Sequence, residues 1–161
     1  MLIPALEDLL APERVLRNAD ARSKKHALDI VSELVASAET KLTRGEVFDS
    51  LVAREKLGST AVGRAVAIPH GRLARLDRSI GAFLRLSDPV DFDAPDGQSV
   101  DLICAILIPQ ECGEEEPRII GRMAERLSDR RFRVVLRQAS SSRELYNLLL
   151  HYDDAGRSAS A

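Results

Sequence analysis

His70 carries the chemistry this sequence can offer. It stands in Ala65-Val66-Ala67-Ile68-Pro69-His70-Gly71, shortly after Arg54-Glu55-Lys56-Leu57-Gly58-Ser59-Thr60. A histidine that accepts a phosphoryl group needs one ring nitrogen free to meet phosphorus and the other held by a hydrogen bond. Positive charge and N–H or O–H donors must then meet the three equatorial oxygens. Arg54 offers the charge, Ser59 and Thr60 offer hydroxyls, and the loop and Gly71 offer backbone N–H groups. Taken singly, each has a plainer reading: a structural histidine, a solvated helix arginine paired with an acid, two turn hydroxyls. Proline cannot donate to a sheet ladder and glycine permits a turn, so the spacing predicts that His70 is lifted off the end of a strand over residues 65–68.

The other candidates are weaker. His26 lies among polar neighbours of a helical pattern, and His151 closes the last helix, where a cation suits the dipole. The three histidines are scattered without ligand spacing, which argues against a metal site, and no cofactor is implied. Cys104 and Cys112 make no disulfide framework, and Cys104 sits in an apolar run that reads as buried.

The elements that must position His70 follow from periodicity. Residues 1–22 read as a short helix and then a strand or turn. Ala27, Ile30, Val31, Leu34 and Val35 fall at helical spacing behind Ser23, a ready N-cap. Thr43 and Glu46 form a capping box for a second helix with the stripe Val47, Phe48, Leu51 and Val52, and Gly58 stands past its end. Ile80, Ala82, Leu84 and Leu86 alternate as a strand. Residues 88–97 form a turn region with a short edge strand near 90–92. Residues 100–108 (VDLICAILI) are apolar throughout, as a strand buried on both faces is. Pro117 suits the first position of a helix whose inner stripe is Ile120, Met123, Ala124 and Leu127. Phe132, Val135 and Leu136 suggest a short helix, and Ser141 with Glu144 a second capping box before Leu145, Leu148 and Leu149. Helices, then strands, then helices imply an α/β sandwich with a mixed sheet and helices on both faces.

At 161 residues, with 45% hydrophobic and 30% charged residues, the chain fits one soluble domain over 1–152, with a disordered tail at 153–161. A formal charge of −2 gives no electrostatic case for nucleic acid. No stretch has membrane-spanning length and no basic leader precedes an apolar core, so the expected location is cytoplasmic, without membrane insertion.

The two runs around His70 resemble enzyme IIA of the bacterial phosphoenolpyruvate phosphotransferase system, mannitol/fructose type, and the nitrogen-related branch fits best. Ser23-Lys24-Lys25, Phe92-Asp93-Ala94, Pro109 after the apolar strand, and Ala124-Glu125-Arg126-Leu127-Ser128-Asp129 agree, so the similarity spans roughly residues 5–150. The resemblance implies a mixed five-stranded sheet flanked by helices on both faces, with His70 as the phosphorylated residue and Arg54, Ser59, Thr60 and Gly71 supporting the phosphoryl group. It implies a transferase that takes phosphate from a histidine phosphocarrier protein and regulates targets by its phosphorylation state. Potassium transport or sensor kinase proteins are such targets by resemblance only. The alternatives are an interaction module with a vestigial site and a fructose-type sugar-transport IIA component.

Two departures stand out. Members of this family usually carry a second histidine after the strand that ends at Pro109, facing the phosphorylated one; this chain has Glu116 and Arg118 in that region. Arg118 offers a guanidinium for phosphate oxygens. Glu116 offers either a hold on a ring nitrogen of His70 or a charge that repels the phosphate. Ala65 replaces the usual glycine before the strand.

Overall fold

The computed structural model describes residues 6–111 and 113–152. The tail, 153–161, expected to be disordered, lies outside the described residues, as does Cys112.

Two faces of one mixed sheet organise the chain. The elements in order are α1 (Leu6–Leu9), a 3-10 turn (Pro12–Arg14), β1 (Val15–Ala19), α2 (Lys24–Ala38), α3 (Arg44–Glu55), β2 (Ala61–Gly63), β3 (Val66–Ala67), β4 (His70–Leu73), β5 (Ile80–Val90), β6 (Val100–Pro109), α4 (Glu115–Leu127), α5 (Arg130–Gln138) and α6 (Ser142–His151). The strand order is β1-β5-β6-β3-β2, with β4 also paired to β6. β5 and β6 run antiparallel at the centre; β1 is parallel to β5, and β3 and β4 are parallel to β6.

The sheet has six strands, one more than the resemblance implied, and Pro69 is the reason. β3 pairs with Leu102 and Ile103 of β6, and β4 resumes along the same strand at Ile106. Between them the Ile68 N–H turns away to the Thr60 carbonyl (3.0 Å), while the Pro69 carbonyl accepts from the Ile106 N–H (2.9 Å). Proline has no N–H to continue the ladder, so one track along β6 is split into two short strands.

β6 is buried on both faces, as its composition predicts. Ile103, Ala105 and Leu107 pack with Ala82 and Leu84 of β5 under Ala27, Leu28, Val31, Val35, Val47 and Leu51 of α2 and α3. Leu102, Cys104, Ile106 and Ile108 face Ile119, Met123 and Leu127 of α4, with Phe132, Leu136, Leu145 and Leu149 behind them. Cys104 is a free, buried thiol, and burial pushes its pKa up to about 12.

The helix starts follow the side chains read as caps. The Ser23 hydroxyl accepts the His26 N–H (3.1 Å). Thr43 and Glu46 exchange both bonds of a capping box. Ser141 caps α6, but the Glu144 carboxylate returns to the N–H and hydroxyl of Ser140 rather than to Ser141. α4 begins at Glu115, so Pro117 sits at its third position, where the N–H it lacks has no partner within the helix anyway.

β2 and β3 form a hairpin that was not anticipated, and it removes Ala65 from the strand predicted there. Its two-residue loop, Arg64-Ala65, has φ of +57° and +65°, as a primed turn requires. The Arg64 N–H is held by Asp96 (2.9 Å), and the Ala65 carbonyl accepts from the N–H groups of Asp101 and Leu102 (3.0 and 3.2 Å). A left-handed conformation costs a residue with a Cβ about 1–2 kcal/mol. Part of that is recovered because alanine loses less chain entropy than glycine on folding. Ala65→Gly is therefore expected to stabilise the fold by a few tenths to about 1 kcal/mol. Urea unfolding of the two proteins checks this: the midpoint should rise at constant slope.

Candidate functional site

His70 opens β4 and is not lifted off the sheet. It pairs with Ile106 of β6, and Gly71, Arg72 and Leu73 follow in register with Leu107, Ile108 and Pro109. Its backbone is sheet and its side chain is half-buried. Gly71 is required by packing, not by a turn. A Cβ there would lie 2.2 Å from Ser50 Oγ and 3.2 Å from the Ser50 backbone carbon, because α3 presses directly on β4. The Ser50 hydroxyl also donates to the Arg72 carbonyl (3.0 Å), clasping helix to strand.

Alternation along β4 decides which side chains share a face. Gly71 and Leu73 turn to the α2/α3 face. His70 and Arg72 therefore take the opposite face, that of α4. The His70 ring is fixed by a 2.8 Å bond between Nδ1 and the Ile68 carbonyl. A carbonyl only accepts, so Nδ1 carries the proton and Nε2 of the neutral ring carries the lone pair. This leaves Nε2 as the nucleophilic atom.

The loop before β2 is braced by a carboxylate. Glu55, only 7% exposed, accepts the Thr60 N–H at Oε2 (3.0 Å) and the Thr60 hydroxyl at Oε1 (2.5 Å). Lys24 of α2 reaches the same Oε2 at 3.5 Å and Asp93 at 2.9 Å. Burial pulls the Lys24 pKa down, but the hydrogen bond to Asp93 and the Glu55 charge more than offset it, and the net shift is upward. The Ser59 hydroxyl donates to the Phe92 carbonyl (2.6 Å) and accepts from the Ala61 N–H (3.1 Å). Both hydroxyl protons thus have protein acceptors. A groove of about 400 Å³ borders this brace, lined by residues including Lys24, Lys56 and Asp93; His70 does not line it.

The remaining site candidates separate. The Arg54 guanidinium donates to the Gly58 carbonyl (2.8 Å), capping the end of α3. Glu116 does reach the His70 face, but its partner is Arg72: Nε and Nη2 lie 3.3 and 3.2 Å from Glu116 Oε2. Arg72 Nη1 and Nη2 also donate to the carbonyls of Gln110 (3.1 Å) and Gly113 (3.0 Å). The hold on Nδ1 comes from Ile68, not from Glu116. Arg118, two positions further along α4, is exposed, and residues so spaced do not share a helix face. Arg72 is the residue that sequence reasoning missed. Period-two alternation from His70 would have found it, had His70-Gly71 been read as strand.

Comparison with known proteins now bears on what this site is. Residues 8–152 match the model of the phosphoenolpyruvate-dependent sugar phosphotransferase system EIIA 2 family. The chain belongs to this family. It is 41% identical over 146 residues to a nitrogen regulatory protein of Bradyrhizobium diazoefficiens, covering 89% of this chain and 94% of that one. Identity to the nitrogen regulatory protein of Pseudomonas aeruginosa is 41% over 145 residues, covering 90% and 94%. Nitrogen regulatory protein IIA-Ntr from Neisseria meningitidis superposes with a TM-score of 0.83 at 36% identity, covering 89% of this chain and 98% of that one. Mannitol IIA from Escherichia coli shares the fold, with a TM-score of 0.73 at 22% identity over 87% and 98% of the two chains. Within the family, the chain falls in the nitrogen-related branch.

The brace at Glu55 is the part of this region whose energetics follow most directly. Glu55→Ala leaves a buried N–H and hydroxyl without acceptors and is expected to cost about 3 kcal/mol or more. Thr60→Val should cost clearly less in the Glu55→Ala background than in the parent, because the bond it removes is already gone. A double-mutant cycle by urea unfolding reads both effects; equal cost in the two backgrounds would mean that Glu55 and Thr60 act independently.

Proposed function

We propose that this chain is a phosphoryl carrier whose acceptor atom is His70 Nε2. The single observation that carries the reading is the bond from Nδ1 to the Ile68 carbonyl, which leaves a lone pair on Nε2 at the half-buried start of β4. Nε2 attacks the phosphorus of a phosphohistidine on a histidine phosphocarrier protein. The donor N–P bond breaks, its electron pair returns to the donor ring, and an Nε2–P bond forms. The Nδ1 proton stays in place, and the Ile68 carbonyl faces the positive charge that develops on the ring.

Arg54 leaves the exposed Gly58 carbonyl at little cost and supplies positive charge to the phosphoryl oxygens. Ser59 and Thr60 support the group through the loop they build, and Gly71 lets α3 sit close enough for that loop to reach the site. Family membership supports a phosphotransferase role, and the relatives' shared name supports a regulatory one; in this reading the phosphorylation state is what target proteins sense. The cytoplasm is the compartment this system implies; among the described residues no helix is long and apolar enough to cross a membrane.

With the upstream carriers and labelled phosphoenolpyruvate, the chain should acquire acid-labile, base-stable phosphate, and His70→Ala should acquire none. Equal labelling of that variant would remove His70 from the mechanism. Arg54→Ala should slow transfer by ten- to a thousandfold, since one donor to a developing charge carries about that much. Its folding stability should move by less than about 1 kcal/mol. A collapse of stability with an unchanged transfer rate per folded molecule would make Arg54 structural instead.

A further inference from the structure

We infer that Arg72 is a phosphoryl-binding residue of this site, held before transfer by Glu116, and that it exchanges the Glu116 carboxylate for the phosphoryl oxygens on His70. The inference rests on His70 being the acceptor, but its evidence is separate.

Arg72 and His70 are alternate residues of one strand on one face, so their Cα atoms stand about 6.6 Å apart. An arginine side chain spans that distance. The guanidinium is on the His70 side of the sheet, as its bonds to Gln110, Gly113 and Glu116 at the start of α4 show. Arg54, the cation the sequence offers, stands in the last turn of α3 with its guanidinium bonded to the Gly58 carbonyl. Arg72 is the arginine that strand alternation sets beside His70.

Its hold on Glu116 suits an exchange. Both contacts go to a single carboxylate oxygen, at 3.2 and 3.3 Å, whereas charge-assisted N–H···O bonds usually measure about 2.7–2.9 Å. Neither partner is deeply buried: their side chains are 34% and 25% exposed, so water can take up what is released. A phosphoryl group brings nearly two negative charges and three acceptor oxygens, and the guanidinium fork matches it better than one carboxylate oxygen. The same charge repels Glu116. Attraction of Arg72 and repulsion of Glu116 drive the exchange in one direction, and Glu116 sets its threshold. No bond to Glu116 is needed to orient the ring, because Ile68 already does so.

Phosphoramidate, which phosphorylates histidine without a carrier protein, separates this inference from the choice of donor. The parent chain, Arg72→Gln, Arg72→Lys, Glu116→Gln and the Arg72→Gln/Glu116→Gln double variant are labelled, and phosphohistidine formation and hydrolysis are followed by phosphorus NMR. Arg72→Gln should label roughly a hundredfold more slowly. Arg72→Lys, which keeps the charge but loses the fork, should fall between it and the parent. Glu116→Gln should label severalfold faster and hydrolyse more slowly, and that gain should shrink or vanish in the double variant, because it acts by freeing Arg72. In the parent, the Arg72 Nε–H resonance should move on phosphorylation. Label on His70 at a rate indifferent to both Arg72 variants, with no shift of that resonance, would overturn this inference alone. A full Glu116→Gln gain in the double variant would overturn the exchange, leaving plain repulsion by Glu116. Absence of label from the parent would count against the His70 reading itself, and this one with it.

Discussion

The site depends on one buried carboxylate. Glu55 ends α3 and turns back to hold both the N–H and the hydroxyl of Thr60, while Lys24 ties the same group to α2 and Asp93. A carboxylate so enclosed is stable only if its lone pairs are used, and here hydrogen bonds and a cation use them. The Thr60 carbonyl in turn receives the Ile68 N–H. The chain from Lys24 through Glu55 and Thr60 therefore ends at the residue whose carbonyl fixes the His70 ring. A brace that ends two residues from His70 ties a short polar loop to the strand that carries it.

Much of this was legible in the sequence. The apolar run at 100–108 fits a strand covered on both faces better than a helix, and it is one; Ser23, Thr43 and Ser141 cap the helices read behind them. These features are local: a periodicity, or a side chain three positions from the N–H it meets. The errors came where a local rule met a nonlocal partner. Pro69 and Gly71 each favour a turn, yet β6 supplies a ladder on both sides of Pro69, and α3 demands a residue without a Cβ at Gly71. Ser59 and Thr60 read as free hydroxyls because Phe92 and the side-chain reach of Glu55 cannot be seen in their spacing.

Ala65 and Pro117 show the opposite case, where a sequence cue was sound but its position slipped. A strand was expected over residues 65–68, but it starts at Val66, and the tight loop falls on Arg64 and Ala65, with Asp96 and the β6 backbone compensating its left-handed conformation. Pro117 does lie in the first turn of α4, two positions later than a first-residue proline, since the first-turn N–H groups have no partners within the helix to lose.

The second histidine that the family resemblance implies, in whose region this chain has Glu116 and Arg118, bears on the site through charge. An imidazole opposite His70 can be neutral or positive and so can face a phosphoryl group without penalty; a carboxylate cannot. Glu116 in that region would oppose phosphorylation if it stood alone. Paired with Arg72, it forms a nearly neutral unit before transfer, which avoids placing an uncompensated cation beside a neutral histidine. The proposed transfer would let the two charges part, because Arg72 is anchored on the strand that carries His70 and Glu116 on the first turn of α4. The Gln110 and Gly113 carbonyls share the guanidinium with Glu116, and in the proposed exchange they would keep Arg72 from swinging into solvent. Substituting a carboxylate for a histidine thus need not empty the site. If His70 accepts the phosphoryl group as proposed, the burden of meeting its charge falls on β4 rather than α4, because the alternation of one short strand sets the Arg72 guanidinium beside that histidine.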